Sequence, residues 1–162
     1  MKSVFSLFMA YVDCEAAVDE LLQEGFDGEE LNVIVDAELA KSYMDVNLER
    51  VDIQATDELG EETMGLGVRL GAERPVRIPR LGTIYAAGKL ATILAKTADA
   101  EGTVKETLGE FGVPAPTAET YIEGVISGGL LFWIRTSDRR AAKAAEICEV
   151  HNGIQVITYG GG

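Results

Sequence analysis

One short pattern occurs at both ends of the chain: an apolar strand, an amphipathic helix, a glycine and a second apolar strand. In the N-terminal copy, Ser3–Tyr11 predicts a buried strand and Leu31–Val35 predicts the strand that completes the unit. Asp13 is placed to cap the helix between them, and Gly25 to end it. The helix carries one apolar stripe at helical spacing, which consists of Cys14, Ala17, Val18 and Leu21.

The C-terminal copy has the same layout. Gly129–Arg135 predicts a strand, and Ile154–Thr158 predicts the last strand of the chain. Ser137 or Asp138 is placed to cap the intervening helix, and Gly153 to end it. The helix again carries an apolar stripe, which consists of Ala141, Ala144, Ala145 and Cys148.

Two such units predict an α+β fold of the ferredoxin-like type. Its split β-α-β core is a four-stranded antiparallel sheet with two helices on one face. A chain of 162 residues can bury the core of one domain. We therefore expect a single domain over residues 1–162, with the two units at 1–36 and 129–159 and a long, mainly helical insert at 37–128.

The centre of the insert is rich in small residues. Val76–Arg80 is expected to be extended, because Pro75 and Pro79 restrict their neighbours. Gly82–Ala98 predicts a helix that packs on the core or on a second subunit. Small side chains on it would let another backbone approach: Ala86, Ala87, Gly88 and Ala91. Two further helices are predicted, at Thr103–Phe111 and Pro116–Ile126.

Composition and charge exclude several classes of partner. The formal net charge of -13 argues against binding to nucleic acid, which needs a basic surface. No apolar run reaches the ~18 residues of a membrane span, although peripheral membrane contact is left open. Two cysteines do not form a disulfide framework, so we expect a cytoplasmic protein with reduced thiols.

Those two cysteines are redox candidates. Cys14 lies at the start of a predicted helix, where backbone N–H groups lower the pKa of a thiol. If the two helices run antiparallel on one sheet, Cys14 and Cys148 meet at the same edge. The alternative, which the apolar stripes favour, is that both are small buried hydrophobic residues.

A group of arginines is the candidate anion-binding site: Arg69, Arg74, Arg77 and Arg80. Only Glu73 opposes them within this stretch, and the glycine-rich Gly65–Gly71, which includes Arg69, lies alongside them. The favoured alternative is that they pair with the abundant carboxylates, within or between subunits.

The remaining polar candidates predict no cofactor and no metal site. His151 is the single histidine and lies at a predicted helix end, where a capping or exposed role is expected. One acidic run is expected to be a solvated face: Asp57, Glu58, Glu61 and Glu62.

Phe132 and Trp133 are neighbours on a predicted strand, so they point to opposite faces of the sheet. One of them must cover the side without the two helices, together with the insert or a second subunit. This predicts a homo-oligomer, in the simplest case a dimer.

Three segments together resemble a family of small bacterial general stress (heat-induced) proteins. They are residues 4–26, the Gly/Ala-rich Ile78–Leu94, and Phe111–Ile134 with its tyrosine-bearing helix and double glycine. Arg80 and Lys89 depart from the family's pattern, which tends to have Gly and Pro there. The resemblance implies a stress-associated role and carries over no catalytic residues.

Three hypotheses for the function follow. The first is a non-catalytic stress-associated protein that acts by self-association or partner binding. The second is a small-molecule or anion-binding sensor, which rests on the fold analogy and the arginines. The third is a redox-active thiol protein that uses Cys14 and Cys148. Enzymatic activity is not favoured, because no catalytic constellation stands out.

Overall fold

A computed structural model describes residues 1–40, 42, 76–78, 81–88, 91 and 108–160. The strands are β1 (Lys2–Phe8), β2 (Leu31–Asp36), β3 (Val76–Ile78), β4 (Gly82–Ala87), β5 (Leu130–Thr136) and β6 (Ile154–Gly160). The α-helices that are described over their whole length are α1 (Tyr11–Gln23), α2 (Ala115–Ile126) and α3 (Asp138–Val150), and Gly28–Glu30 forms a 3₁₀ turn. The chain is therefore α+β, as predicted.

The described strands form one sheet in the order β3-β4-β2-β5-β1-β6, and every neighbouring pair is antiparallel. The four predicted strands of the two end units lie together as β2-β5-β1-β6. The two units therefore interleave, because β5 lies between β1 and β2 while β1 lies between β5 and β6. The register places Phe5 opposite Trp133 and Val33 opposite Phe132.

Each face of the sheet carries its own core. Phe132 lies in the core under α1 and α3, and Trp133 lies in the core on the opposite face, under α2. The prediction that these neighbours point to opposite faces is confirmed. Of the two covers that the sequence left open for this face, the insert is present: α2, which belongs to the insert, lies over it, and Trp133 is fully buried. The homo-oligomer therefore loses this support and stays a prediction.

The predicted helix Gly82–Ala98 is wrong over its first part, which is strand β4. Thr83, Ile84 and Tyr85 favour a strand, and β2 supplies the partner, with Val35 opposite Tyr85. The small residues do admit a close backbone approach, since a side chain at Gly88 would collide with the backbone of β2. Residues 92–98 lie outside the described part of the chain.

Helix α1 begins earlier than predicted. Asp13 is not its cap, because the backbone N–H groups of Asp13 and Cys14 both donate to the carbonyl of Ala10. Tyr11 is buried and extends the apolar stripe by one turn toward the N-terminus, so the helix includes it. The predicted end at Gly25 is confirmed by the positive φ of that glycine, +89°.

The observed starts of α3 and α2 and the extended segment at β3 lie close to their predicted positions. Helix α3 follows Ser137, which lies at the N-cap position without a capping side-chain hydrogen bond. Helix α2 begins one residue before the predicted Pro116, and β3 confirms the extended Val76–Ile78. Of the predicted Thr103–Phe111 helix, the structure describes residues 108–111: residues 108–110 are helical and Phe111 lies in a turn.

Among the described helices, none is both long and apolar enough to cross a membrane.

Candidate functional site

The two thiols lie in the core under α1 and α3, and both are fully buried. Burial raises the pKa of Cys14 well above its ordinary value, and Cys148 is the next largest cause. Burial also raises the pKa of Cys148, to about 12, with a smaller contribution from Glu149. The predicted lowering of the Cys14 pKa was wrong, because desolvation of the buried thiol raises it. The predicted proximity of the two cysteines as a redox pair stays a prediction.

The turn between α3 and β6 is tied to α1. His151 occupies the C-cap of α3, and its Nε2 lies 2.8 Å from Oε1 of Glu20. Asn152 donates from its side-chain amide to the Asp13 carboxylate at 3.4 Å. His151 thus has the structural position at a helix end that its sequence context predicts.

A contact that the sequence analysis missed joins the start of α3 to the end of α1. The Arg140 guanidinium donates to the carbonyls of Gly25 and Glu24 at 3.2 and 2.8 Å. It also lies over the Phe26 ring, 3.9 Å from the centroid. A cation at a helix C-terminus satisfies carbonyls that have no partner within the helix.

Of the predicted arginine cluster, the structure describes Arg77 alone. It is exposed at the centre of β3, opposite Thr83. Arg69, Arg74 and Arg80 lie outside the described residues, as does the acidic run at Asp57–Glu62. Among the described residues, no group of three or more His, Cys, Asp or Glu side chains is placed to hold a metal.

The core under α2 is built from stacked aromatic rings. Phe5 stacks on Trp133 and on Tyr121, with ring centroids 5.2 and 5.8 Å apart. Tyr159 of β6 meets the Phe5 ring edge-on at 5.6 Å. The Tyr121 hydroxyl donates to the carbonyl of Gln155 at 2.8 Å, so the helix layer also holds the start of β6.

Strand β6 is the candidate interaction site. Within the part of the chain that the structure describes, it pairs with β1 alone, so its outer edge is open. Its sequence, IQVITYG, carries no charged residue, and Ile154 is 47% exposed. An open edge presents backbone N–H and C=O groups to any approaching strand.

A bulge divides this edge. The register shifts between Phe5 and Leu7 of β1, and Gln155 of β6 takes a positive φ of +50°. Beyond the bulge, residues 157–160 pair regularly with β1. The regular end of the strand is therefore its C-terminal part.

The chain matches no family model, no curated protein and no solved structure. The resemblance to general stress proteins therefore stays a prediction, and the geometry of the described residues carries the functional argument.

Proposed function

We propose that the protein is a non-catalytic, stress-associated protein that acts by self-association. The observation that carries this proposal is that β6 is uncharged, in a chain of net charge -13, and pairs with β1 alone among the described residues. Natural proteins usually protect such an edge with charged residues, proline or a covering segment. An edge that the described residues leave without such protection is better suited to pairing with another strand than to contact with solvent.

The ferredoxin-like assignment belongs to this proposal. The central order β2-β5-β1-β6 gives two interleaved β-α-β units with α1 and α3 on one face, which supports a split β-α-β core. In such a core the last strand of the second unit ends the sheet, and here that strand is β6. Self-association at β6 would extend the sheet from one copy into the next.

Charge bears on how two copies can meet. Each copy is strongly acidic, so bringing two together costs electrostatic free energy over most of the surface. An uncharged strand lowers that cost where the contact is closest, and backbone hydrogen bonds supply the attraction. Added salt should strengthen this association, because it screens the repulsion between the copies.

The two alternatives have weaker support. For the anion sensor, Arg77 is exposed on β3, and the other three arginines lie outside the described residues. For the redox protein, the raised pKa values keep both thiols protonated at neutral pH, where a thiolate would be needed for reaction. Two free, buried thiols are compatible with the proposed cytoplasmic location.

The test is size-exclusion chromatography with light scattering over a range of protein and salt concentrations. We expect a dimer mass that is reached at lower protein concentration when salt is raised. A monomer at every concentration would overturn the proposal. A dimer that dissociates with salt would point instead to pairing of arginines with carboxylates.

A further inference from the structure

We infer that two copies pair their β6 strands antiparallel, with Thr158 on the two-fold axis, so that the two sheets become one continuous sheet. This rests on the proposed self-association and names its surface and register. It follows from the position of the bulge, from the alternation of side chains and from the kinds of residue that would face one another.

The bulge limits where the ladder can run. Gln155 has a left-handed backbone and interrupts the pairing with β1, so a partner strand cannot continue regularly past it. The usable edge is therefore residues 156–160. Thr158 is at the centre of this segment, and it is exposed.

The two faces of β6 are assigned by their contacts. Tyr159 packs in the α2 core and Val156 packs against the α1–α3 core. Alternation then puts Ile157 on the α2 side with Tyr159, and Thr158 on the α1–α3 side. A two-fold axis perpendicular to the sheet keeps each residue on the same side in both copies.

With Thr158 on the axis, the facing residues suit one another. Thr158 meets Thr158 of the second copy. Ile157 of each copy meets Tyr159 of the other, which gives two equivalent pairs. Pairs of threonines, and of an aromatic with a β-branched residue, are among the favourable cross-strand combinations. A register centred on Ile157 would place Gln155, in the bulge, opposite Tyr159.

A second copy is the occupant that these observations favour. Paired about Thr158, the segment places favourable residues opposite one another in two identical strands. It also carries no charged residue, so two copies of a chain with net charge -13 meet there without direct repulsion. Pairing with a strand of a different protein would not require the segment to be complementary to its own sequence.

The first test is a disulfide cross-link through Thr158→Cys in the full chain, with oxidised glutathione as oxidant. Cross-strand Cα atoms lie about 4.5–5.5 Å apart, within the range that a disulfide spans. The native Cys14 and Cys148 are buried, so the unmodified chain should stay uncross-linked. Thr83→Cys, an exposed threonine on β4, is the matched control. We expect covalent dimer for Thr158→Cys alone.

The second test exchanges charges at the same position. Thr158→Lys and Thr158→Glu should each be monomeric, because like charges would meet on the axis, and a mixture of the two should form the heterodimer. A misfolded variant could not regain dimer mass on mixing. If the unmodified chain is a dimer but both variants stay dimeric, or if mixing restores nothing, the inference is overturned. A monomeric unmodified chain would instead overturn the proposed function.

Discussion

The two edge strands of the described sheet differ in length and charge. β3 is three residues long, and the exposed Arg77 stands at its centre. β6 is seven residues long and uncharged. A short strand and an edge charge are two ways in which proteins prevent strand pairing between molecules. Among the described residues, one edge strand of the sheet therefore carries features that prevent strand pairing, and the other does not.

Contacts from several elements support β6. β6 is held by β1, by the hydroxyl of Tyr121 and by the contact of Tyr159 with Phe5. The turn that leads into it is fixed to α1 through His151 and Asn152. An edge that is already ordered loses little conformational entropy when it binds, which favours association.

The largest expected effect is at the centre of that support. Phe5→Ala should lower the free energy of unfolding by about 3–5 kcal/mol, because it removes a fully buried ring that touches Trp133, Tyr121 and Tyr159. Urea unfolding measures the loss. Phe5→Leu keeps more of the buried volume and should lose less. A change below about 1 kcal/mol for Phe5→Ala would show that this stack of rings contributes little to the stability of the fold.

Alkaline pH should weaken the other core. The folded-state pKa values of Cys14 and Cys148 are raised, so their contribution to stability is complete below the unfolded-state value of about 8.5 and is lost above it. The free energy of unfolding should fall by about 1 kcal/mol per thiol for each pH unit as the pH rises toward 10, because the unfolded chain releases the thiol protons and the folded chain retains them.

Urea titrations at pH 8 and pH 10 measure this loss. The double variant Cys14→Ala/Cys148→Ala is the control and should show a smaller decrease with pH. Equal slopes for the variant and the unmodified chain would mean that the thiols ionise as easily in the folded as in the unfolded protein.

A smaller effect is expected at Arg140, which joins the two helices of the α1–α3 layer. Arg140→Ala should cost about 1–2 kcal/mol, since the carbonyls of Glu24 and Gly25 lose a cationic donor. Arg139→Ala, at the exposed neighbouring residue, should change stability by less than about 0.5 kcal/mol. Similar values for both variants would remove the helix-capping role assigned to Arg140.

The sequence predicted the elements of the two end units because their patterns are local. The stripe that contains Cys14 and the alternation at Phe132 and Trp133 depend on neighbours within a few residues. β4 was misassigned because Ala86 and Ala87 favour a helix, whereas the strand depends on pairing with β2, far away in the sequence.

The candidate site was predicted in part. Ile154–Thr158 was recognised as a strand, but strand order is a property of the whole sheet, so its place at the edge could not be predicted from local pattern. The bulge at Gln155 depends on a positive φ that glutamine rarely adopts. The contacts of Arg140 join residues on different helices, and no spacing rule predicts them.

Single substitutions that add a charge to β6 or remove the charge from β3 should affect folding least and association most clearly. Thr158→Arg should raise the dimer dissociation constant at least about tenfold, since two arginines would meet on the axis. Arg77→Thr removes the charge of the protected edge and should leave that constant within about twofold, because β3 stays short. Analytical ultracentrifugation separates these outcomes, and the reverse ranking would identify β3 as the contact edge.

Hydrogen–deuterium exchange at low and high protein concentration tests most directly whether the two edges differ. If β6 is the contact edge, backbone amides in residues 156–160 exchange more slowly at high concentration, and those of Val76–Ile78 exchange at the same rate throughout. Slower exchange in β3, or no change in β6 while the mass is that of a dimer, would contradict the account.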